Sequence, residues 1–335
     1  MQRYRRIVRL AGVGEEGFHK ISQAQVALVG CGTLGGAFAL NLARLGVESL
    51  RLIDRDIVEE HNLSTQMLFD EEDARQILPK AIAAQRHLQK LNSKCQIEAH
   101  ATDLTFANAE ALLGGVDLIL DGSDNFETRY LINDVAVKLG IPWIYSAVVG
   151  FTALIMPVMP AETACLRCLL DAPPEASSLP TCEIAGVWPP TAQSAAAVAL
   201  TEALRILTVR KIPGGLSELD FESGQWRRIG VPRKMDCPAC VRQEFPYLQG
   251  RIGSQATKMC GRDMVHLSLP PETKIDLASI AEKVQTIGEV QLTDFLLHLK
   301  AADAEIYLFP DGRAFVKGVS DPGRARAIFN RYISG

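Results

Sequence analysis

Between positions 26 and 148, short apolar runs alternate with longer stretches in which apolar residues recur at helical spacing. The runs VALVG, SLRLID, VDLILDG and PWIYSAV predict strands over 26–30, 49–54, 116–122 and 142–148, with a further strand over 95–100. Between them the pattern predicts helices over 34–46, 106–113 and 126–139. DEEDARQILPKAIAAQRHLQKL is also helical in pattern, but Pro79 lacks a backbone N–H and clashes with the preceding turn, so it divides that helix in two. Strands alternating with helices of this length predict an α/β fold: a Rossmann-like, mostly parallel sheet with helices on both faces.

From 151 the alternation stops. FTALIMPVMP reads as a strand, TAQSAAAVALTEALRIL as an alanine-rich helix suited to the core or a subunit interface, and a hairpin follows. From Met264 the pattern is a small α+β appendage: strand VHLSL, helix LASIAEKVQTI, a hairpin turning at Asp311-Gly312, and a last helix DPGRARAIFNRYI. The expected organisation is a basic N-terminal arm over 1–25, the main domain over 26–248, a linker over 249–263 and a C-terminal domain over 264–335. The tail carries no catalytic constellation. Cys260 lies in the linker, and His266 and His298 each stand alone.

The first strand runs into a Gly-x-Gly-x-x-Gly turn at Gly30, Gly32 and Gly35, and a helix follows. In that order the first glycine makes the turn, the second lets backbone approach a ligand, and the third packs helix on strand. Phosphates then lie at the helix N-terminus, where unpaired N–H groups and the dipole favour negative charge. Asp54 ends the next strand about twenty residues on, the spacing of a carboxylate that accepts from a ribose hydroxyl. Taken alone, this stretch favours a nicotinamide or flavin dehydrogenase. Asp124, in DGSDNFETR, is a carboxylate suited to a Mg²⁺ that bridges triphosphate oxygens, and equally suited to cap the helix beginning near Phe126. Lys80 either meets a phosphate or is simply solvated at its helix start. Arg3, Arg5, Arg6 and Arg9, taken by spacing, are a solvated face.

Cysteine spacing changes the picture of the second half. Cys165-Leu-Arg-Cys168 and Cys237-Pro-Ala-Cys240 are two knuckles, each presenting two sulfurs, the spacing of a tetrahedral four-thiolate zinc site. No His, Asp or Glu intrudes into either knuckle, so the site is expected to be closed and structural, bracing the crossover region against the sheet. Cys182 lies between them in a Pro- and Ser-rich loop, outside any CxxC pair, and is a candidate nucleophile or a small buried hydrophobe. The net charge of −4 argues against nucleic acid as a partner. No apolar run spans a bilayer, and MQRYRRIVRL lacks a signal-peptide core, so a cytoplasmic protein with reduced cysteines is expected.

With the glycine turn, LIDRDIVEEHNL, PKA, DGSDNFETR, CLRC, TCEIAGV and CPAC in this order, the chain resembles the ThiF, MoeB and HesA family of sulfur-carrier adenylyltransferases, bacterial relatives of ubiquitin-activating enzyme. The resemblance covers roughly residues 3–245 and displaces the dehydrogenase reading. It implies that ATP binds at the glycine turn and that the C-terminal glycine carboxylate of a ubiquitin-like carrier ending in Gly-Gly attacks the α-phosphate. Carried over, Gly32 and Asp54 contact the nucleotide, Asn62 and Lys80 the ribose and phosphate region, and Asp124, beside Asn125, the magnesium. Arg6 matches the family arm that reaches the partner subunit's ATP, which implies a homodimer. Cys182 matches the crossover-loop cysteine, and a thiolate there is suited to attack an acyl adenylate. The tail from 264 is too short for a rhodanese-like domain and has no cysteine loop, so a separate sulfur-donor protein is expected. The tail, CGRDMV through YISG, resembles the extension of longer thiazole-pathway members and favours thiamin over molybdopterin biosynthesis.

Two departures stand out. Relatives read NLxRQ where this chain has Asn62-Leu63-Ser64-Thr65-Gln66, so Thr65 stands where an arginine touches phosphate; losing it costs about 1.5–3 kcal/mol of charge-assisted hydrogen bonding. Arg5 or Arg55 would have to compensate. The second departure is WPPTAQ in place of a glycine-rich run. Competing readings are a same-fold adenylyltransferase acting on another substrate, such as a tRNA-modifying dehydratase or a peptide-modifying enzyme, and a non-catalytic carrier-binding module.

Overall fold

Strand β1 (Gln25–Val29) is buried at every position but its first, as a strand covered on both faces must be. It is the axis of the first of two units, Met1–Ile252 and Gly253–Gly335. The computed structural model describes residues 2–174, 185–209, 212–252, 256–258, 264–268 and 275–334.

In the first unit β1 pairs in parallel with β2 (Ser49–Ile53) and β4 (Leu118–Asp121), β2 with β3 (Gln96–His100), and β4 with β5 (Trp143–Val149). Strands β6 (Thr152–Val158), β7 (Leu216–Asp220) and β8 (Gln225–Ile229) extend the sheet antiparallel, giving the order β3-β2-β1-β4-β5-β6-β7-β8. The sheet is therefore Rossmann-like and mostly parallel, as expected. Strand order reverses at β1, and the crevice between the carboxyl ends of β1 and β4 is where such sheets bind ligands.

Helices cover both faces. Ala27, Val29, Ile53, Ile119 and Trp143 share a core with α6 (Ala109–Leu113) and α7 (Phe126–Leu139). Their neighbours Val26, Leu28, Leu50 and Leu52 are equally buried and, by alternation, face the other side. There α3 (Thr33–Leu45) lies between α5 (Lys80–Leu91) and the long α9 (Pro189–Val209). Along the arm run α1 (Arg5–Val8) and α2 (Gly14–Ser22).

The break at Pro79 is wider than one residue. Helix α4 (Glu71–Arg75) ends, Ile77 turns with φ +51°, and Val58 N–H donates to Leu78 O at 2.8 Å before α5 starts at Lys80. The excursion ties the segment after β2 to the start of α5, which sets Lys80 beside Asp56. The helix expected from 106 starts only at Ala109. Asn108 instead folds back, its Oδ1 accepting from Thr105 N–H and its amide donating to Asp103 O.

The second unit is an antiparallel sheet in the order β11-β12-β13-β14-β10-β9, formed by β9 (Ala256–Lys258), β10 (Met264–Ser268), β11 (Glu289–Leu292), β12 (Leu297–Lys300), β13 (Glu305–Leu308) and β14 (Arg313–Lys317). Its core packs α10 (Leu277–Val284) and α11 (Pro322–Phe329) against Val265, Leu299, Ile306 and Val316. The β13–β14 hairpin turns at Asp311-Gly312 as expected, with Gly312 at φ +84°.

Candidate functional site

The glycine turn is built by close approach. A Cβ on Gly35 would collide with Gly30 O, and one on Gly30, whose φ is +87°, with the backbone of Gly122. These glycines let β1, α3 and the loop after β4 touch. Gly32, the N-cap of α3, is different: a Cβ there would meet nothing nearer than Gln66 Nε2 at 3.9 Å. No backbone closes over Gly32, whose nearest neighbour there is the end of a side chain, as a phosphate cradle requires.

Asp54, at the end of β2, holds this turn from below. Its Oδ2 accepts from Cys31 N–H at 2.6 Å and its Oδ1 from Asp56 N–H at 2.7 Å. Burial pushes its carboxyl up, against the opposing pull of the Lys80 ammonium. Both oxygens are thus engaged with backbone, so Asp54 shapes the loop. Lys80 is buried at the N-terminus of α5, its Nζ 3.1 Å from Asp56 Oδ2 and its N–H donating to Asp56 O. Asp56 also faces Arg55, whose Nη1 lies 3.4 Å from Asp103 Oδ1. The surrounding carboxylates, Asp103 and Asp56 foremost and then Asp124, raise the Arg55 pKa despite its burial.

Asn62 closes a one-turn helix: its Oδ1 accepts from Glu59 N–H at 3.0 Å and its amide meets His61 Nε2. Four residues on, Gln66 is buried beside Gly32, and its Oε1 has no hydrogen-bond partner. An orphaned buried acceptor costs about 1–3 kcal/mol unless a ligand satisfies it. Gln66 was not among the residues singled out from spacing, although it follows Thr65 directly; the signal was its place after Asn62.

At the end of β4, Asp121 is fully buried, accepting from Ser123 N–H at 2.9 Å and Ser123 Oγ at 2.6 Å. The Arg129 guanidinium, 3.4 Å away, opposes the upward push of burial on this carboxyl and also donates to Ser123 O at 2.8 Å. The loop is thus pinned by Asp121 and Arg129 while Asp124 at its tip stays exposed. The cap of α7 is Asn125, whose Oδ1 accepts from Thr128 N–H at 2.8 Å, and not Asp124. The reason is register: the side chain directly before Phe126 reaches the third N–H of the helix. Asp124 is left available to a cation.

In the arm, Arg3 Nη1 donates to Asn92 Oδ1 at 2.6 Å and Tyr4 Oη accepts from Asn92, anchoring α1 beside the α3 C-terminus. Arg5 and Arg6 are both exposed. Cys31 is buried, and burial pushes its thiol up, so it offers no nucleophile beside the turn.

The four knuckle cysteines converge. Sulfur separations are 4.0 Å for Cys165–Cys168 and 3.6 Å for Cys165–Cys237 and Cys168–Cys240, and all four Sγ atoms lie within 4.8 Å of one another. A tetrahedral zinc with Zn–S about 2.3 Å requires sulfurs about 3.8 Å apart, so the donor set fits a zinc ion. Cys182 lies outside the described residues. Among the described residues no helix is long and apolar enough to cross a membrane.

Comparison with known proteins agrees with this geometry. The sequence profile of the ThiF family matches residues 4–239. The sulfur carrier protein ThiS adenylyltransferase of Bacillus subtilis is 36% identical over 334 residues, 99% of each chain. The sulfur carrier protein adenylyltransferase of Thermus thermophilus is 36% identical over 247 residues, covering 72% of this chain and 90% of its own. Among solved structures, E. coli MccB with ATP aligns with a TM-score of 0.62 over 72% of this chain and 74% of that one, at 21% identity, a likeness of fold.

Proposed function

The chain belongs to the ThiF family, and from that premise we propose that it adenylates the C-terminal glycine carboxylate of a ubiquitin-like sulfur carrier, releasing pyrophosphate. The observation that carries this reading is the end-to-end similarity to the Bacillus ThiS adenylyltransferase, which includes the second unit. The carrier named for the Bacillus relative, ThiS, favours a thiazole-type carrier over a molybdopterin-type one.

In the proposed reaction a carboxylate oxygen of the carrier attacks the α-phosphorus of ATP, the bond from that phosphorus to the bridging oxygen breaks, and pyrophosphate leaves with the electron pair. The first N–H groups of α3 and the open face of Gly32 receive the phosphates. Lys80 supplies a buried point charge, and Asn62 and Gln66 line the nucleotide's side of the turn, with Gln66 Oε1 gaining a donor from it. Asp54 keeps the turn in shape. Asp124 would hold the magnesium ion, which would supply positive charge against the phosphates. In a homodimer, Arg6 reaches the neighbouring protomer's nucleotide. The zinc knuckles would brace the crossover region, and the Cys182 thiolate is the candidate nucleophile for the acyl adenylate, forming a C–S bond as the acyl–O bond breaks and AMP leaves; sulfur comes from a separate donor protein.

The test is transfer of label from α-labelled ATP to a thiazole-type carrier. Carrier-bound adenylate that forms with the wild-type protein and disappears with Asp124→Ala supports the reading. Tight ATP binding with no labelled carrier would leave a non-catalytic carrier-binding module.

A further inference from the structure

We propose that a cavity beside the cysteine knuckles is a binding site for a small phosphoryl anion, phosphate or pyrophosphate, gripped by Arg167 and Arg251. The inference is independent of the adenylation reading.

The cavity has a volume of about 250 Å³. Sites for drug-sized ligands usually run to about 300–1,000 Å³, so this one suits an ion with a few waters and not a nucleotide. Its lining is rich in donors. Arg167 and Arg251 bring guanidiniums and Gln243 and Gln249 side-chain amides, while Phe245 and Pro246 supply apolar surface, beside which charges are screened less than in water. The one carboxylate of the lining, Glu244, is paired with Arg242, whose Nε lies 3.4 Å from its Oε1.

Arg167 is the residue that points to a ligand. Its Nη1 is buried and has no hydrogen-bond partner, and its Nε makes only a long bond to Asp171 O at 3.3 Å. A buried cationic donor without an acceptor is costly, and an entering anion offsets that cost. Arg251 is exposed, with its backbone N–H returned to Pro246 O at 3.0 Å. A single guanidinium fork saturates the two oxygens of a carboxylate. Here the donors come from two arginines and two amides, which suits a tetrahedral anion with three or more oxygens, and two guanidiniums balance its double charge.

The walls are fixed before any ligand arrives, which lowers the ordering cost of binding. Arg167 stands inside the first knuckle, between Cys165 and Cys168. The facing segment is folded onto the second knuckle, where Gln243 N–H donates to Ala239 O at 3.1 Å and Glu244 N–H to Pro238 O at 2.8 Å. Both walls hang on the middle of α7: Leu166 N–H donates to Asn133 Oδ1 at 2.9 Å and Tyr247 N–H to Asp134 Oδ2 at 3.0 Å. Asn133 lies about two helical turns from the Phe126 end of α7, which follows Asp124 at the carboxyl edge of the sheet. The cavity is therefore separate from the cradle at the glycine turn.

The experiment is calorimetric titration of the full chain with inorganic phosphate and, separately, with pyrophosphate, in a Mg²⁺-free buffer without other oxyanions. One anion per chain is expected to bind, and the tighter of the two identifies the source. Arg251→Gln is expected to weaken that binding at least tenfold and Arg167→Gln at least as much, with zinc content and circular dichroism unchanged. Acetate is expected to bind at least tenfold more weakly than phosphate. Anion binding that both variants leave unchanged would belong to the glycine turn and would overturn the inference. So would acetate binding as tightly as phosphate, or no binding of either phosphoryl anion, with Nη1 then satisfied by water. If Arg167→Gln loses its metal, Arg251→Gln, an exposed substitution outside the knuckles, carries the test alone.

Discussion

Asp134 sits in the middle of α7, fully buried, with Oδ2 accepting from Tyr247 N–H at 3.0 Å and Leu248 N–H at 3.3 Å, while Oδ1 has no hydrogen-bond partner. Burial raises its pKa to about 6, opposed by those two N–H groups and by Arg167. A carboxyl that keeps its proton longer when folded stabilises the fold at low pH, and that contribution is lost as pH rises from the unfolded value of 3.8 towards 6. Relative to Asp134→Asn, the wild-type protein should therefore lose up to about 3 kcal/mol between pH 4 and pH 7. Urea unfolding across that range measures it, and parallel profiles for the two proteins would show that Asp134 does not titrate there. Its burial was not legible in the sequence, because a lone Asp inside a helical pattern looks the same whether it faces water or the residues after the second knuckle. Gly30, Gly32 and Asp124 were legible in place for the opposite reason, since turn chemistry and strand ends fix where they lie, whereas Lys80, which spacing alone left as simply solvated, is buried against Asp56. Asp54 was legible in place, at the end of β2, while the Cys31 N–H that its carboxylate holds was not.

Elements were read well where periodicity was unambiguous. The helix over 126–139 and the strands of the parallel half appear within a residue or two; the central β1 and β4, buried on both faces, are nearly continuously apolar and stand out between the helices. The strands Glu289–Leu292 and Leu297–Lys300 were missed: EVQL and LHLK are four residues each, and their leucines suit a helix as well as a strand. The knuckles were legible from spacing alone. The knuckle helix α8 (Leu166–Leu169) is fastened to α7 where Leu166 N–H donates to Asn133 Oδ1 at 2.9 Å, and the second knuckle follows β8, so a metal there staples two distant stretches of one unit. Cys168 and Cys240 are 72 residues apart, and closing a loop of that length removes about 4 kcal/mol of unfolded-chain entropy in the chain-entropy picture. Metal analysis should return one zinc per chain. Cys240→Ser should lose the metal and lower Tm by roughly 10 °C. A metal-free protein of unchanged Tm would contradict the zinc assignment.

At the scale of the molecule, a parallel half-sheet supplies the cleft at the switch between β1 and β4, and an antiparallel extension carries the chain on to the second knuckle. The first arrangement follows from alternating strands and helices; of the second, strand β6 and the β7–β8 hairpin were legible as elements, but not the pairing of β6 with β7, which lie about sixty residues apart. The role proposed for Arg6 belongs to a homodimer, and in the single chain its side chain is exposed. The second unit has its own sheet and core, and the similarity to the Bacillus relative runs through it. The measurement that bears most directly on the whole account is exchange of labelled pyrophosphate into ATP, with the full chain, Mg²⁺ and a thiazole-type carrier. The account predicts exchange that requires the carrier, stops when the carrier's terminal glycine is deleted, and falls at least a hundredfold, about 2.7 kcal/mol, in Asp124→Ala. Exchange indifferent to the terminal glycine, or ATP binding with no exchange at all, would contradict it.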